Sequence, residues 1–262
     1  MTPDTSTTST VAVTYEVRNS IAWLTINRPD ARNSLNRAVR DGLFAGVRRF
    51  NDDESAKVLV LTGSGDKAFC AGGDLKEMSQ EQLTVPPVDF VPQFGRNIAV
   101  DKPTIAAVNG AAFAGGFLLA QTCDLCIAST TATFAISEVK IGRGSPWAAP
   151  LPLMVPQRIA MEIVLTGAPL TAQRAYEIGF VNRIVEPDEL VEATQKFAEL
   201  IAANAPLSVD AGKKTAKLTA EYALSAAFEM AEEIWEPVYL SEDAQEGMLA
   251  FSEKRRPHWK GR

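Results

Sequence analysis

The side chains of this 262-residue chain with chemical potential are few: an acidic residue in an apolar stretch, three cysteines and one histidine, beside two glycine-bearing loops. Glu138 stands in Ile136-Ser-Glu-Val-Lys-Ile141, at the end of a strand-like run. The commonest role of such a carboxylate is solvated surface, and its chemical role is general acid/base. The loops Phe69-Cys-Ala-Gly-Gly-Asp74 and Asn109-Gly-Ala-Ala-Phe-Ala-Gly-Gly116 match neither the dinucleotide fingerprint nor the P-loop. Two such loops at strand ends can aim backbone N–H groups into one cleft, and a helix N-terminus after Gly116 adds partial positive charge; an oxyanion hole is built this way. Taken alone, the same glycines serve as tight-turn formers.

Cys123-Asp-Leu-Cys126 falls at the start of a predicted buried strand. Strand alternation points the two thiols apart and no second ligand pair exists for zinc, so core packing is expected. Three cysteines are too few for a disulfide framework, which favours a reducing, cytoplasmic setting. The single histidine, His258 in Pro257-His-Trp259, reads as a surface tail residue, and one histidine excludes His-pair metal centres; no metal site is expected.

These residues need elements to position them. Alternation at Val13/Tyr15/Val17 and Ile21/Trp23/Thr25 predicts two strands about a tight turn at Asn19-Ser20. A helical period over 35–50 follows, then a buried strand over 57–62 and a glycine-rich loop over 63–74. A second unit runs from a strand at 104–108 through the loop at 110–116 into an apolar helix at 117–122 and a strand at 124–128. Beyond residue 171 the pattern is helical: 172–178 ending at Gly179, a strand over 181–185, a helix over 188–203 closed by Pro206, and helices from 208 to 253. The class is α/β. Residues 1–10 read as a disordered Thr/Ser-rich tail, 11–200 as the core carrying the site, and 201–262 as a helical region. A proline-bearing segment over 79–92 reads as a long mobile loop.

The net charge is −6, with a pI near 5.0, so no basic field exists to collect nucleic acid or anionic membrane. Arg37, Arg40, Arg48 and Arg49 on the 35–50 helix read as a solvated face. No apolar run is long enough to cross a bilayer.

The chain resembles the crotonase superfamily, the enoyl-CoA hydratase/isomerase family. The resemblance rests on Asn27-Arg-Pro29 with Arg32-Asn-Ser-Leu-Asn36, Leu61-Thr-Gly63 with Ala68-Phe-Cys-Ala-Gly-Gly-Asp74, Lys102-Pro-Thr-Ile-Ala-Ala-Val-Asn-Gly110 with Ala114-Gly-Gly116, Cys123-Asp124 and the tail from Phe251 to Arg262. It implies a spiral of ββα units and a C-terminal helical region that drives assembly to a trimer or a dimer of trimers. It implies an acyl-CoA substrate along Ala71, Gly72, Gly73 and Asp74, with no permanently bound cofactor, the CoA being part of the substrate. The Ala71 and Gly115 amides would form the oxyanion hole, and Phe251 and Lys254 would help hold the CoA of a neighbouring subunit.

The departures matter as much. Hydratases of this pattern carry two glutamates; the first position is Leu118 here, and the second is Glu138. The segment Gly142-Arg-Gly-Ser-Pro-Trp-Ala-Ala-Pro150 also lacks the hydratase-like Gly-Gly-Thr-Gln run. A single glutamate is similar to the pattern of enoyl-CoA isomerases that move a double bond from position 3 to position 2. The alternatives are a hydratase borrowing an acid such as Glu77 or Glu81, a retro-aldol lyase or decarboxylase on a CoA thioester, and a non-enzymatic module binding CoA esters or RNA. Trp147, Phe113, Phe117, Phe90 and Phe94 are candidates to line the acyl pocket.

Overall fold

Asn19 and Ser20 both adopt positive φ, 48° and 64°, so the chain reverses in two residues. Strand β1 (Val13–Arg18) therefore pairs antiparallel with β2 (Ile21–Ile26), Arg18 opposite Ile21. The structure is a computed structural model describing residues 11–262, and the tail expected over 1–10 lies outside the described residues.

Helix α1 (Arg37–Asp52) begins two residues later than the apolar period predicts, because the Asn36 side chain accepts from the Val39 amide and caps it there. Leu35 is instead fully buried outside the helix, bridging to Gly73. Next come β3 (Val58–Gly63), β4 (Ala68–Cys70) and α2 (Leu75–Gln80), then β5 (Thr104–Val108), β6 (Ala111–Phe113) and α3 (Gly115–Thr122). Strands β7 (Leu125–Ser129) and β8 (Thr133–Ala135) lead into a 3-10 turn, Ser137–Ile141. The strands β4 and β6 lie inside stretches that the sequence pattern marks as loops, and helix α2 falls between the 63–74 and 79–92 loops and runs into the second.

The repeat is strand, strand, helix. Each turn of the chain adds one strand to a large sheet ordered β1-β2-β3-β5-β7-β10 and one to a small sheet ordered β4-β6-β8-β9. The pairings β3 with β5, β5 with β7, β4 with β6 and β6 with β8 are all parallel, which is the expected spiral of ββα units. The rest of the chain is α4 (Leu151–Met154), α5 (Gln157–Thr166), β9 (Leu170–Thr171), α6 (Ala172–Glu177), β10 (Arg183–Val185) and α7 (Leu190–Ala202). Helices α8 (Pro206–Glu221), α9 (Leu224–Tyr239) and α10 (Glu242–Ser252) complete it. Pro206 opens α8 rather than closing α7, since a first-turn position asks for no N–H.

Side chains of the large sheet alternate between two cores. Leu24, Leu59, Leu61 and Ala106 face the core shared with α1, α3 and the small sheet; Trp23, Val58, Val60 and Ile105 face the other side, beneath Leu190 and Ala198 of α7. Helix α7 runs past residue 200, so the helical tail begins after Ala202. It is tied down by Lys213, whose ammonium meets Asp124 at 2.8 Å and two backbone carbonyls. Phe228 and Tyr239 on α9, Leu240 just after it and Met248 on α10 stay exposed. No described helix is long and apolar enough to cross a membrane.

Candidate functional site

Parallel pairing of β4 with β6, Ala68 opposite Ala111 and Cys70 opposite Ala112, places the two glycine loops side by side where the strands end. At Gly72, with φ of +94°, a Cβ would stand 2.8 Å from Ala114 Cβ and 3.0 Å from the Phe113 carbonyl oxygen. Backbone lies against backbone there, and a side chain would force the loops apart. Ala114, with φ 51° and ψ −115°, adopts a conformation unusual for a residue with a Cβ and immediately precedes the first amide of α3. The loop before α1 is braced against them by the fully buried Asn33, whose amide nitrogen donates to Ser64 and Ala68 carbonyls at 3.0 and 2.7 Å.

This geometry corrects one expectation. The Ala71 amide donates to the Arg32 carbonyl at 3.0 Å, so it is turned into the scaffold and not towards a ligand. Gly73 and Gly115 both border the adjoining cavity, and neither amide meets an acceptor among the described residues. For Gly115 the reason is positional, since the opening amides of a helix have no intrahelical partner. Gly72 is the spacer between the loops. The Asp74 carboxylate caps α2 and pairs with Arg28 at 2.9 Å, an interaction that helps hold its carboxyl below the usual carboxylate range.

The cavity, about 240 Å³, is walled by Leu35, Gly73, Ala114, Gly115, Leu118, Glu138 and Trp147 and roofed by the segment from Val85 to Val91. Glu138, set by the 3-10 turn after β8, is only 9% exposed, and its Oε2 is buried with no partner among the described residues. Burial pushes its carboxyl above the ordinary range; its own backbone amide and the Trp147 indole pull it partly back. Leu118 on α3 is 4% exposed and borders the same space. Among the aromatic candidates Phe90 and Trp147 border the cavity. Phe117 is instead core, stacked on Phe180 with centroids 4.7 Å apart.

Other candidates are occupied elsewhere. Glu77 accepts from the Arg37 amide at 2.9 Å and from Arg40 at 2.7 Å, and neither Glu77 nor the exposed Glu81 borders the cavity. Arg40 is thus a correction to the solvated-face reading: it is 9% exposed, paired with Glu77 and laid over the Phe90 ring at 4.2 Å. All three cysteines are free and buried, with desolvation pushing Cys70 and Cys126 up to about 12, so they stay protonated thiols. Cys123 and Cys126 enter one core cluster rather than opposite faces, because Cys123 ends α3 and is not part of the strand. His258, Phe251 and Lys254 are exposed and none of them borders the cavity.

Sequence reasoning does not single out Arg143, Gln93 or Arg96, which also border the cavity. A basic residue between two glycines, Gly142-Arg-Gly144, just after the retained glutamate was the available signal.

A model of the enoyl-CoA hydratase/isomerase family matches residues 16–262. The chain is 38% identical to an (E)-benzylidenesuccinyl-CoA hydratase of Thauera aromatica, over 95% of this chain and 99% of that protein. It is 36% identical to a carnitinyl-CoA dehydratase of Proteus mirabilis, over 94% and 97%. Among solved structures, an enoyl-CoA hydratase from Mycobacterium marinum superposes with a TM-score of 0.86 at 38% identity, covering 97% of this chain and all of that one.

Proposed function

The chain belongs to the enoyl-CoA hydratase/isomerase family of acyl-CoA enzymes, and from that premise we propose that it shifts a double bond in an enoyl-CoA from position 3 to position 2. The observation that carries this reading is the composition of the cavity wall: among the described residues Glu138 is its one carboxylate, and the position on α3 that borders the same space is Leu118. Removing a proton from carbon 2 and returning it to carbon 4 asks for one base whose proton is retained between the two steps. The raised Glu138 carboxyl suits it to hold that proton, and an apolar neighbour keeps water from competing for the dienolate.

Negative charge develops on the thioester oxygen during the shift. The Gly73 and Gly115 amides are the donors placed to receive it, in place of the Ala71–Gly115 pair, because theirs are the uncommitted N–H groups at the cavity. Gly72 lets the loops approach, while Asp74 anchors the loop through α2 and Arg28. In the same proposal Phe251 and Lys254 contact the CoA of a neighbouring subunit in a trimer or dimer of trimers, consistent with their exposure and with the apolar surface on α9 and α10. No cofactor beyond the substrate's CoA enters the scheme, and a cytoplasmic setting fits three thiols kept reduced.

A second reading, hydration or dehydration, is favoured by the names of the relatives. Adding water needs it to be both held and deprotonated, and here only one carboxylate is available for that work. Rates on matched 3-enoyl-CoA and 2-enoyl-CoA thioesters decide. Isomerisation is expected to dominate, and Glu138→Gln to lower it about 10²- to 10⁴-fold; Leu118→Glu is expected to raise hydration. Faster hydration than isomerisation by the unaltered protein overturns the proposal.

A further inference from the structure

Beside Glu138 and the indole of Trp147, the cavity wall among the described residues carries Gln93, Arg96 and Arg143, so it has more positive than negative formal charge although the chain as a whole is acidic. Arg96 is exposed and its Nη1 donates to Gln93 at 2.7 Å. Arg143 is different. Its backbone amide donates to the Glu138 carbonyl at 3.0 Å, which fixes the two residues at opposite ends of one turn. Its Nη1 donates to the Leu83 carbonyl at 2.9 Å, and its Nη2 is buried with no acceptor among the described residues. A buried guanidinium nitrogen without a partner is costly, and Arg143 borders the cavity, so a ligand oxyanion reaching its planar fork would supply the acceptor that the fold does not. Glu138 does not serve as that partner, since its own Oε2 is likewise unpartnered.

We propose that the cavity takes an acyl group bearing a second carboxylate, held by the Arg143 guanidinium. The proposal rests on the acyl-CoA reading and narrows it to thioesters of dicarboxylic acids, for which Arg143 is the specificity-determining residue. The same chemistry is offered by a phosphate of CoA, and the measurement must separate the two sources. A plain alkyl chain would leave Nη2 without an acceptor in the complex as well, a discrimination of the kind that polar sites exert against ligands lacking the matching group.

The test is equilibrium binding of saturated, unreactive thioesters: succinyl-, adipoyl- and suberoyl-CoA against butyryl-, hexanoyl- and octanoyl-CoA, with free CoA as the third arm. At least one dicarboxylic thioester is expected to bind about 10- to 100-fold tighter than its neutral counterpart, the range of a hydrogen bond to a charged group. Arg143→Gln is expected to abolish that preference and leave free CoA and neutral thioesters within about two-fold, whereas Arg143→Lys, which keeps the charge without the fork, retains part of it. A uniform loss across all ligands would mean that Arg143 grips a CoA phosphate or merely holds the roof through Leu83, and would overturn the proposal. Equal binding of both thioester series by the unaltered protein overturns it without any variant. Binding of neither series removes the acyl-CoA reading itself, an outcome distinct from equal binding.

Discussion

Replacing Glu138 by Gln is expected to cost activity and add stability, and the second effect has a defined pH signature. The carboxyl has an ordinary value of 4.5 and is raised in the folded protein, chiefly by desolvation. Below about pH 4.5 the side chain is neutral in folded and unfolded chains alike, so the two proteins should be equally stable there. As pH rises, the unfolded chain ionises first and gains an advantage, so the unaltered protein loses stability through the raised folded value and then levels off. The glutamine variant has no such proton to lose. Other titrating groups, such as the Lys213–Asp124 pair, are common to both proteins and cancel in the difference. Glutamine keeps a polar group at that buried position, so the difference is the ionisation penalty alone, and each kcal/mol of it corresponds to roughly 2–4 °C in Tm in a chain of this size. Urea unfolding and thermal melts of both proteins from pH 4.5 to 9 measure it, and each 1.4 kcal/mol of plateau difference corresponds to about one pKa unit. Parallel pH profiles, or a variant less stable than the unaltered protein at pH 8, would refute the claim that Glu138 is held as an unpaired, desolvated carboxyl.

Gly72→Ala should push the two loops apart at their tightest contact and spoil the alignment of the Gly73 and Gly115 amides, lowering kcat about 10²- to 10³-fold, with a much smaller change in the Kd of a saturated thioester; an unchanged kcat would sink the oxyanion assignment. Ala114→Gly should relieve the positive φ at the start of α3 and, after the entropy that glycine adds to the unfolded chain, raise stability by about 1 kcal/mol, or roughly 2–4 °C in Tm. A lower Tm would show that the alanine is not strained.

The elements that could be read from sequence are those whose side chains repeat. The buried strands of the large sheet and the apolar face of α1 carry periods that burial enforces, so their existence follows from the pattern. Strands β4 and β6 have three residues each, too few to show any period, and they exist because each adds to its neighbour in the spiral. The motif Arg32-Asn-Ser-Leu-Asn36 was legible as a resemblance, but its physical content appears only in three dimensions: Asn33 braces the loop, Leu35 fills the core beside Gly73, and Asn36 caps α1. Glu138 and Gly115 were legible through the family resemblance, since on residue type and setting alone one reads as a solvated carboxylate and the other as a turn glycine. The choice between Ala71 and Gly73 was not legible, since every residue but proline carries the same N–H and only the Arg32 carbonyl determines which of the two is committed. Arg143 escaped for the opposite reason: an arginine in a glycine-rich turn is ordinarily solvated, and what distinguishes this one is the distant Leu83 carbonyl that accepts from it.

The two orphaned atoms of the cavity bear on each other. Had the fold been arranged to pair Glu138 with Arg143, the guanidinium would hold the carboxyl below its ordinary range, and the residue would be a poor proton acceptor for a thioester α-carbon. Burial instead dominates and the carboxyl is raised, and no hydrogen bond from Arg143 pulls it down. The Leu83 carbonyl takes Nη1 of the guanidinium and leaves Nη2 unpartnered, so the cation is held in place without pairing with the base. A ligand anion reaching Nη2 would satisfy it while Glu138 remains free to move a proton. Recognition and base strength can then be set by separate residues within one six-residue turn of the chain, 138–143.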